Sequence, residues 1–356
     1  MALITFNDIC IDSQYSEIRH RGTDTDISTI LGDIKLGFPI ISANMPDITE
    51  DKMAIEMFMN NGLGIIHRFM SIEENLRCFN DARQGILETF LDVYSSKTID
   101  EKLKYFCGVS MGVNDSEKER FDKLYEAGAR LFCIDIAHGH SIMMKEMIKW
   151  IRGQAKEVII IAGNIATAEA TLDLIHWGAS VVKVGIGPGM VCRTRSNTGV
   201  GKPQFSAIKE VNNAIRDAKL NVKIISDGGI KTAGDVAKAL IFADAVMIGA
   251  VLAGTVETPG EVYAVEGTDL TNRQYYKMYG GSASAENKVK NGQASRFVEG
   301  ETRRIPFKGH AKYLLREIKD GLQSALSYSG AANLQEYKQK VKWDVISGAG
   351  KTESKL

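Results

Sequence analysis

Several features that would assign a chain quickly are scarce or missing here. The five cysteines, Cys10, Cys78, Cys107, Cys133 and Cys192, are odd in number and widely spaced, and no C-x-x-C occurs. That usage suits neither a disulfide framework nor a zinc site; it fits a reducing compartment, so a cytoplasmic protein is expected. Neither sign of charge is in excess, with 44 Lys+Arg against 44 Asp+Glu. A balanced chain argues against nucleic acid or an anionic membrane as its main partner. The opening residues MALITFNDICIDSQ lack the basic region and apolar run of a secretory signal. The longest apolar runs fall far short of a membrane span. Hydrophobic residues are 44% of 356, enough for a large core in one large domain or two ordinary ones.

What is present is alternation. Short apolar runs read as strands at Pro39–Ser42, Gly64–His67, Tyr105–Val109, Leu131–Asp135, Val158–Ala162, Val181–Val184, Val222–Ser226 and Ala245–Ile248. Most are apolar throughout, the mark of parallel strands covered on both faces. Amphipathic stretches at 51–61, 115–127, 141–154, 167–176, 205–218 and 232–241 read as helices between them. Eight strands alternating with helices predict an α/β fold, a (β/α)8 TIM barrel over residues 36–335. A doubly wound open sheet is the competing architecture. It would scatter the polar, glycine-rich segments that follow nearly every strand, whereas a barrel gathers them on one face. Residues 1–35 read as a segment packing on the barrel. Residues 255–306 are a long polar excursion of the kind that forms lids, with an active-site flap at about 278–306. Residues 336–356 read as a C-terminal tail whose last stretch, SGAGKTESKL, is expected to fray.

The stretch GIGPGMVCRTRSNTGVGKPQ, residues 185–204, puts Cys192 in a loop suited to neither helix nor strand. A free cysteine is ordinarily a small buried hydrophobe. That reading suits Cys107 and Cys133 inside strands, and also Cys10 and Cys78. Cys192 instead stands among glycines beside Arg193, Thr194 and Arg195, and cationic, hydrogen-bonding surroundings favour a thiolate nucleophile. SDGG at 226–229 and IGA at 248–250 follow the last two strands, where barrels commonly cradle a phosphate. Asp227 repels phosphate but accepts ribose hydroxyls, so a nucleoside monophosphate satisfies both features. The plainer alternative is that Gly228 and Gly229 make a tight turn. Gly187-x-Gly189 is not a dinucleotide fingerprint, because no third glycine opens a helix there. His138 and His140 lie near Asp135 in DIAHGHS. With six histidines in the chain and no third ligand in view, a polar loop facing a ligand competes with a metal site.

Taken together, PIISANM, GIIHRFMSIEE, GNIATAEAT, the cysteine loop, SDGGIKTAGDVAKAL and GLQSALSYSGA resemble the IMP dehydrogenase/GMP reductase family over about residues 1–335. The resemblance implies a barrel, often tetrameric, whose loop cysteine attacks purine C2. The family's regulatory CBS pair would enter after the second strand. Only residues 71–103 lie there, so no CBS domain is expected.

Both family activities share the covalent purine–cysteine intermediate, and the sequence favours reduction of GMP with NADPH over oxidation of IMP with NAD. The flap from Met278 to Glu299 spans 22 residues and carries Arg296-Phe297 where a dehydrogenase uses Arg-Tyr to activate water. Phenylalanine lacks the hydroxyl such a relay needs. Thr198–Gly201 also looks like the reductase, whereas AHGHS and IIHRFMSIEE look like the dehydrogenase. Departures from the family pattern are Arg193 after the cysteine, Arg68 for a usual lysine, and Gly280-Gly281-Ser282 for a usual Gly-Met-Ser. The resemblance then implies Cys192, Thr194 and Glu299 as catalytic residues. Asp227, Gly228, Gly229, Gly249, Ala250, Gly280, Gly281 and Ser282 are implied for the purine nucleotide, GMP or IMP. Asp135, Ala137, His138, Asn164 and Arg68 are implied for NADPH (NAD in the alternative). Carbonyls of Gly187, Gly189 and Cys192 are implied for a monovalent cation such as K+. A homotetramer without nucleic-acid or membrane partners is expected. A catalytically idle purine-nucleotide-binding protein is the reading from another class.

Overall fold

The computed structural model describes residues 2–90, 103–265, 274–285 and 298–353. Strands β1 (Ile9–Asp12), β2 (Thr29–Leu31) and β3 (Ile34–Leu36) precede the barrel. Eight parallel strands then close on themselves in chain order: β4 (Ile40–Ser42), β5 (Leu63–Ile66), β6 (Cys107–Met111), β7 (Leu131–Asp135), β8 (Ile159–Ile165), β9 (Val181–Val184), β10 (Lys223–Asp227) and β11 (Ala245–Ile248). The protein is therefore a TIM barrel, and the open-sheet alternative is excluded. Helices Asp51–Met59, Ile72–Phe90, Ser116–Glu126, Ile142–Gln154, Ala168–Trp177, Gln204–Asp217 and Ala233–Ala239 cross between the strands. Helix Ala311–Tyr328 returns after the excursion that follows β11.

Local sequence explains these elements. Ser141 and Thr167 cap their helices by accepting Met144 N–H and Ala170 N–H, and Thr232 with Asp235 forms a reciprocal capping box. Strands β4, β5, β9 and β11 are buried at every residue because helices cover the barrel outside and side chains fill it inside. Gly64 on β5 admits the helix Asp51–Met59 closely: a Cβ there would stand 2.6 Å from the Ala54 Cα.

The segment before the barrel packs on it at two places. Phe6 is buried against Phe205, and Gly32 in the β2–β3 turn, at φ +57°, lies on the Ile159 side chain. The end of the chain departs from the sequence expectation. Within the tail Lys342–Val345 form β15, which pairs antiparallel with β1, and in the stretch expected to fray Gly348–Glu353 are helical. The partner strand lies more than three hundred residues away, so no local pattern announced it. The long excursion is also ordered in part. β12 (Tyr263–Ala264), β13 (Tyr275–Gly280) and β14 (Thr302–Pro306) form a three-stranded antiparallel sheet over the barrel mouth. Arg296 and Phe297 of the flap lie outside the described residues.

Candidate active site

The C-terminal ends of the barrel strands open into a cleft of about 350 Å3. Its floor is a charged cluster. Lys183 on β9 is 1% exposed and donates from Nζ to Asp135 Oδ1 at 2.7 Å, to Asp227 Oδ2 at 2.9 Å and to Asn164 Oδ1. Asn44 Nδ2 donates to the other oxygen of Asp135 at 2.8 Å, and Asn164 Nδ2 donates to Asp227 Oδ2 at 2.9 Å. The carboxylates are 22% and 21% exposed, so they face the cleft while the ammonium stays beneath them. Burial by itself would raise the Asp135 pKa. The charge and hydrogen bond of Lys183, with Asn44 and Arg68, outweigh it and hold the carboxyl below its ordinary range. Burial would likewise lower Lys183, but Asp135 and Asp227 raise it, so the ammonium stays charged. Asp227, which lines the cleft, receives both of its side-chain hydrogen bonds among the described residues on Oδ2, which leaves Oδ1 open.

The rim is built from the cysteine loop and the flap. Cys192 is half-buried, its Sγ lies 3.3 Å from Thr194 Oγ1, and that hydroxyl donates to Glu299 Oε2 at 2.6 Å. Backbone bonds stitch the two segments together. Arg193 N–H donates to the Glu299 carbonyl at 2.7 Å, Glu301 N–H donates to the Val191 carbonyl at 3.0 Å, and Cys192 bridges Gly300 antiparallel. The Gly281 N–H donates to the Glu301 carbonyl, and a Cβ on Gly281 would stand 3.1 Å from both the Gly300 Cα and the Val191 carbonyl oxygen. Arg193 does not serve the thiol as the sequence suggested; its guanidinium binds Glu301, which also pairs with Arg303. Arg195 is the cation near the sulfur, and its side chain covers Gly187 and Gly201 while its Nε donates to the Ile186 carbonyl. The other cysteines differ. Burial pushes the thiols of Cys78, Cys107 and Cys133 well above the ordinary range, and Cys10 lies in β1.

Among the residues expected from sequence, Arg68, Asp135, Ala137, Asn164, Gly187, Gly189, Cys192, Thr194, Asp227, Gly228, Gly281, Ser282 and Glu299 line this cleft. Five do not. His138 stands exposed on the rim with its ring edge-on to His140. Gly229 faces Pro188 and Phe6. Gly249 lies behind Tyr279 and Met45, the Ala250 carbonyl accepts Lys308 Nζ at 3.0 Å, and the Gly280 N–H is held by Asp47 at 2.7 Å. His140 binds Asp173 at 2.8 Å, and among the described residues no group of His, Cys, Asp and Glu is placed to hold a metal ion. Sequence reasoning missed Lys183, Asn44, Met45, Phe69, Met247 and Tyr279, all of which line the cleft. Lys183 had a signal, since a lysine inside a solidly apolar strand needs a buried partner.

The geometry offers a nucleophile with a hydroxyl–carboxylate relay above two carboxylates fixed by one ammonium. Among the described residues no helix is long and apolar enough to cross a membrane. A family model for the IMP dehydrogenase / GMP reductase domain matches residues 3–356. The inosine-5′-monophosphate dehydrogenase of Cryptosporidium parvum is 34% identical over 388 aligned positions, covering 99% of this chain and 94% of its own. A GMP reductase of Leishmania donovani is 28% identical over 473 positions, covering 99% and 96%. The crystal structure of a cysteine-to-alanine GMP reductase from Trypanosoma brucei in complex with guanosine 5′-monophosphate superposes with TM-score 0.87 at 27% identity, covering 99% of this chain and 97% of that one. A match along the whole length, on this barrel and with Cys192 in the loop after β9, means that the chain belongs to the IMP dehydrogenase/GMP reductase family of oxidoreductases.

Proposed function

We propose that the chain reduces GMP to IMP with release of ammonia, using NADPH. The observation that carries this reading is the Cys192–Thr194–Glu299 relay, with 3.3 Å from sulfur to hydroxyl and 2.6 Å from hydroxyl to carboxylate. The Cys192 thiolate adds to purine C2. The C2–amine bond then breaks, and Thr194 with Glu299 passes the departing nitrogen its proton, leaving a thioimidate on Cys192. The nicotinamide nucleotide, when bound, supplies the hydride that reduces C2, after which the C2–S bond breaks and the thiolate leaves. General acid catalysis of this kind is worth about 10²–10⁴ in rate. Holding C2 over the thiol is a positioning effect worth roughly 7–11 kcal/mol of the barrier.

Asp227 accepts the ribose hydroxyls through its open Oδ1. Gly228 and Ser282, which line the cleft, receive the phosphate; the Gly280 and Gly281 N–H groups are already given to Asp47 and the Glu301 carbonyl. Asp135, Ala137, His138 and Asn164 form the cofactor side with Arg68. The buried Arg68 Nε has no hydrogen-bond partner among the described residues, a donor that suits an acceptor-rich dinucleotide. A monovalent cation fits the cysteine loop less well. The Gly189 carbonyl accepts the Cys192 N–H, and the Arg195 guanidinium already lies on this turn, so no step is drawn through K+. A cytoplasmic homotetramer remains part of the reading.

The second reading is oxidation of IMP with NAD, favoured by the dehydrogenase relative at 34% identity. Purified protein given GMP plus NADPH, and separately IMP plus NAD, separates the two by absorbance of the reduced nicotinamide. Loss of that absorbance in the first mixture is expected. Turnover confined to the second would reverse the assignment, and nucleotide binding without turnover in either would favour an idle binding protein.

A further inference from the structure

We infer that Lys183 is a positioning residue that holds Asp135 and Asp227 as one charged unit, so that both ligand sides of the cleft depend on the same buried ammonium. The inference rests on the functional reading above for which ligand each carboxylate serves. Lys183 is 1% exposed and its ammonium is bonded to Asp135, Asn164 and Asp227, so it acts through its neighbours. A single nitrogen bonds Asp135 at 2.7 Å and Asp227 at 2.9 Å. The two carboxylates come from β7 and β10, on opposite sides of β8 and β9. Asn164 of β8 is bonded to both Lys183 and Asp227, and Asn44, which follows β4, bonds Asp135.

Two carboxylates this close to one nitrogen are close to one another. Without the ammonium one of them would take up a proton, because like charges in a partly desolvated site do not both ionise. Among the described residues, the charged and titratable groups facing the cluster are Asp135 and Cys133 on β7, Asp227 on β10, Arg68 after β5 and Tyr279 on β13. Of these only Arg68 is a cation, and it faces the Asp135 side. The ribose-holding Asp227 therefore depends on Lys183 for its counter-charge.

The test compares wild type with Lys183→Met, a change that keeps length and removes charge. The KM for GMP and the KM for NADPH are both expected to rise roughly tenfold or more, the size of a lost charged hydrogen bond. The acid limb of kcat/KM is expected to move to higher pH by about one unit or more. A residue that only fills space would leave that limb in place. Unchanged KM values with an unchanged acid limb overturn the inference. Should Lys183→Met fail to fold, Lys183→Met/Asp135→Asn removes one charge of each sign and is compared with Asp135→Asn alone. A higher GMP KM in the double variant supports the inference, and an equal one overturns it. A wild-type chain inert toward both nucleotides overturns the functional reading and this inference with it, which separates that failure from a fault in Lys183 alone.

Discussion

Floor and rim of the cleft both contain ion pairs, yet they are held by opposite means. At the floor, Lys183 is 1% exposed and its carboxylates about one-fifth exposed. At the rim the cation is the exposed partner: Arg193 is 55% exposed, and Glu301, 16% exposed, is covered about as well as the floor carboxylates. Charges at the floor are desolvated, so their geometry is rigid and removing one partner is costly. Water reaches the Arg193 guanidinium and screens the rim pair, which therefore adds less than the floor cluster. What orders the rim is backbone: the Arg193 N–H on the Glu299 carbonyl and the Glu301 N–H on the Val191 carbonyl. The proposed nucleophile Cys192 thus sits on the compliant side of the cleft, and Asp135 and Asp227 on the stiff side.

The comparison breaks most visibly at the rim's chemistry. Replacing Cys192 by alanine is expected to lower kcat by about 10⁴ or more, while calorimetry still registers GMP, because the floor is intact. Glu299→Gln keeps the hydrogen-bonding shape but cannot deliver a proton. Its kcat is expected to fall by roughly 10²–10³ with little change in the KM for GMP; a change confined to KM would remove Glu299 from the relay.

The floor responds in stability. Lys183→Met is expected to cost about 3–5 kcal/mol in urea unfolding, since it strands two carboxylates. Acid should reveal the same bond. Burial alone would raise Asp135, but Lys183 outweighs it and holds the folded value below 3.8. The stabilisation is therefore complete above that pH and is lost as pH falls through the folded value. Urea midpoints should drop over that acid range in wild type, and the drop should shrink in Lys183→Met. The smallest effect belongs to Arg193→Ala, which should leave kcat/KM within a few-fold; a large loss would mean that the ion pair, and not the backbone, orders the rim.

Much of this was legible beforehand. Six amphipathic helices and eight apolar strands follow from local composition, and every sequence-read strand overlaps a barrel strand. Cys192 stood out because its loop cannot be core. Lys183 passed unnoticed because periodicity reports burial and not partners. Its carboxylates lie 48 and 44 residues away in the chain. Tyr279 was hidden for a similar reason: it is buried against Met45, 234 residues distant. The β1–β15 pair escaped because short half-exposed strands resemble loops until they meet.

The sequence by itself determined the alternation of strands and helices, the glycine loop that keeps Cys192 out of the core, and the residue types at 194 and 299. These depend on interactions within a few residues, where propensity and capping operate. Only the tertiary structure decided that Glu299 meets Thr194 across 105 residues and that one ammonium joins two distant carboxylates. Closing eight parallel strands brings their C-terminal ends to one mouth, and which charges then share a buried space depends on packing that no local pattern encodes.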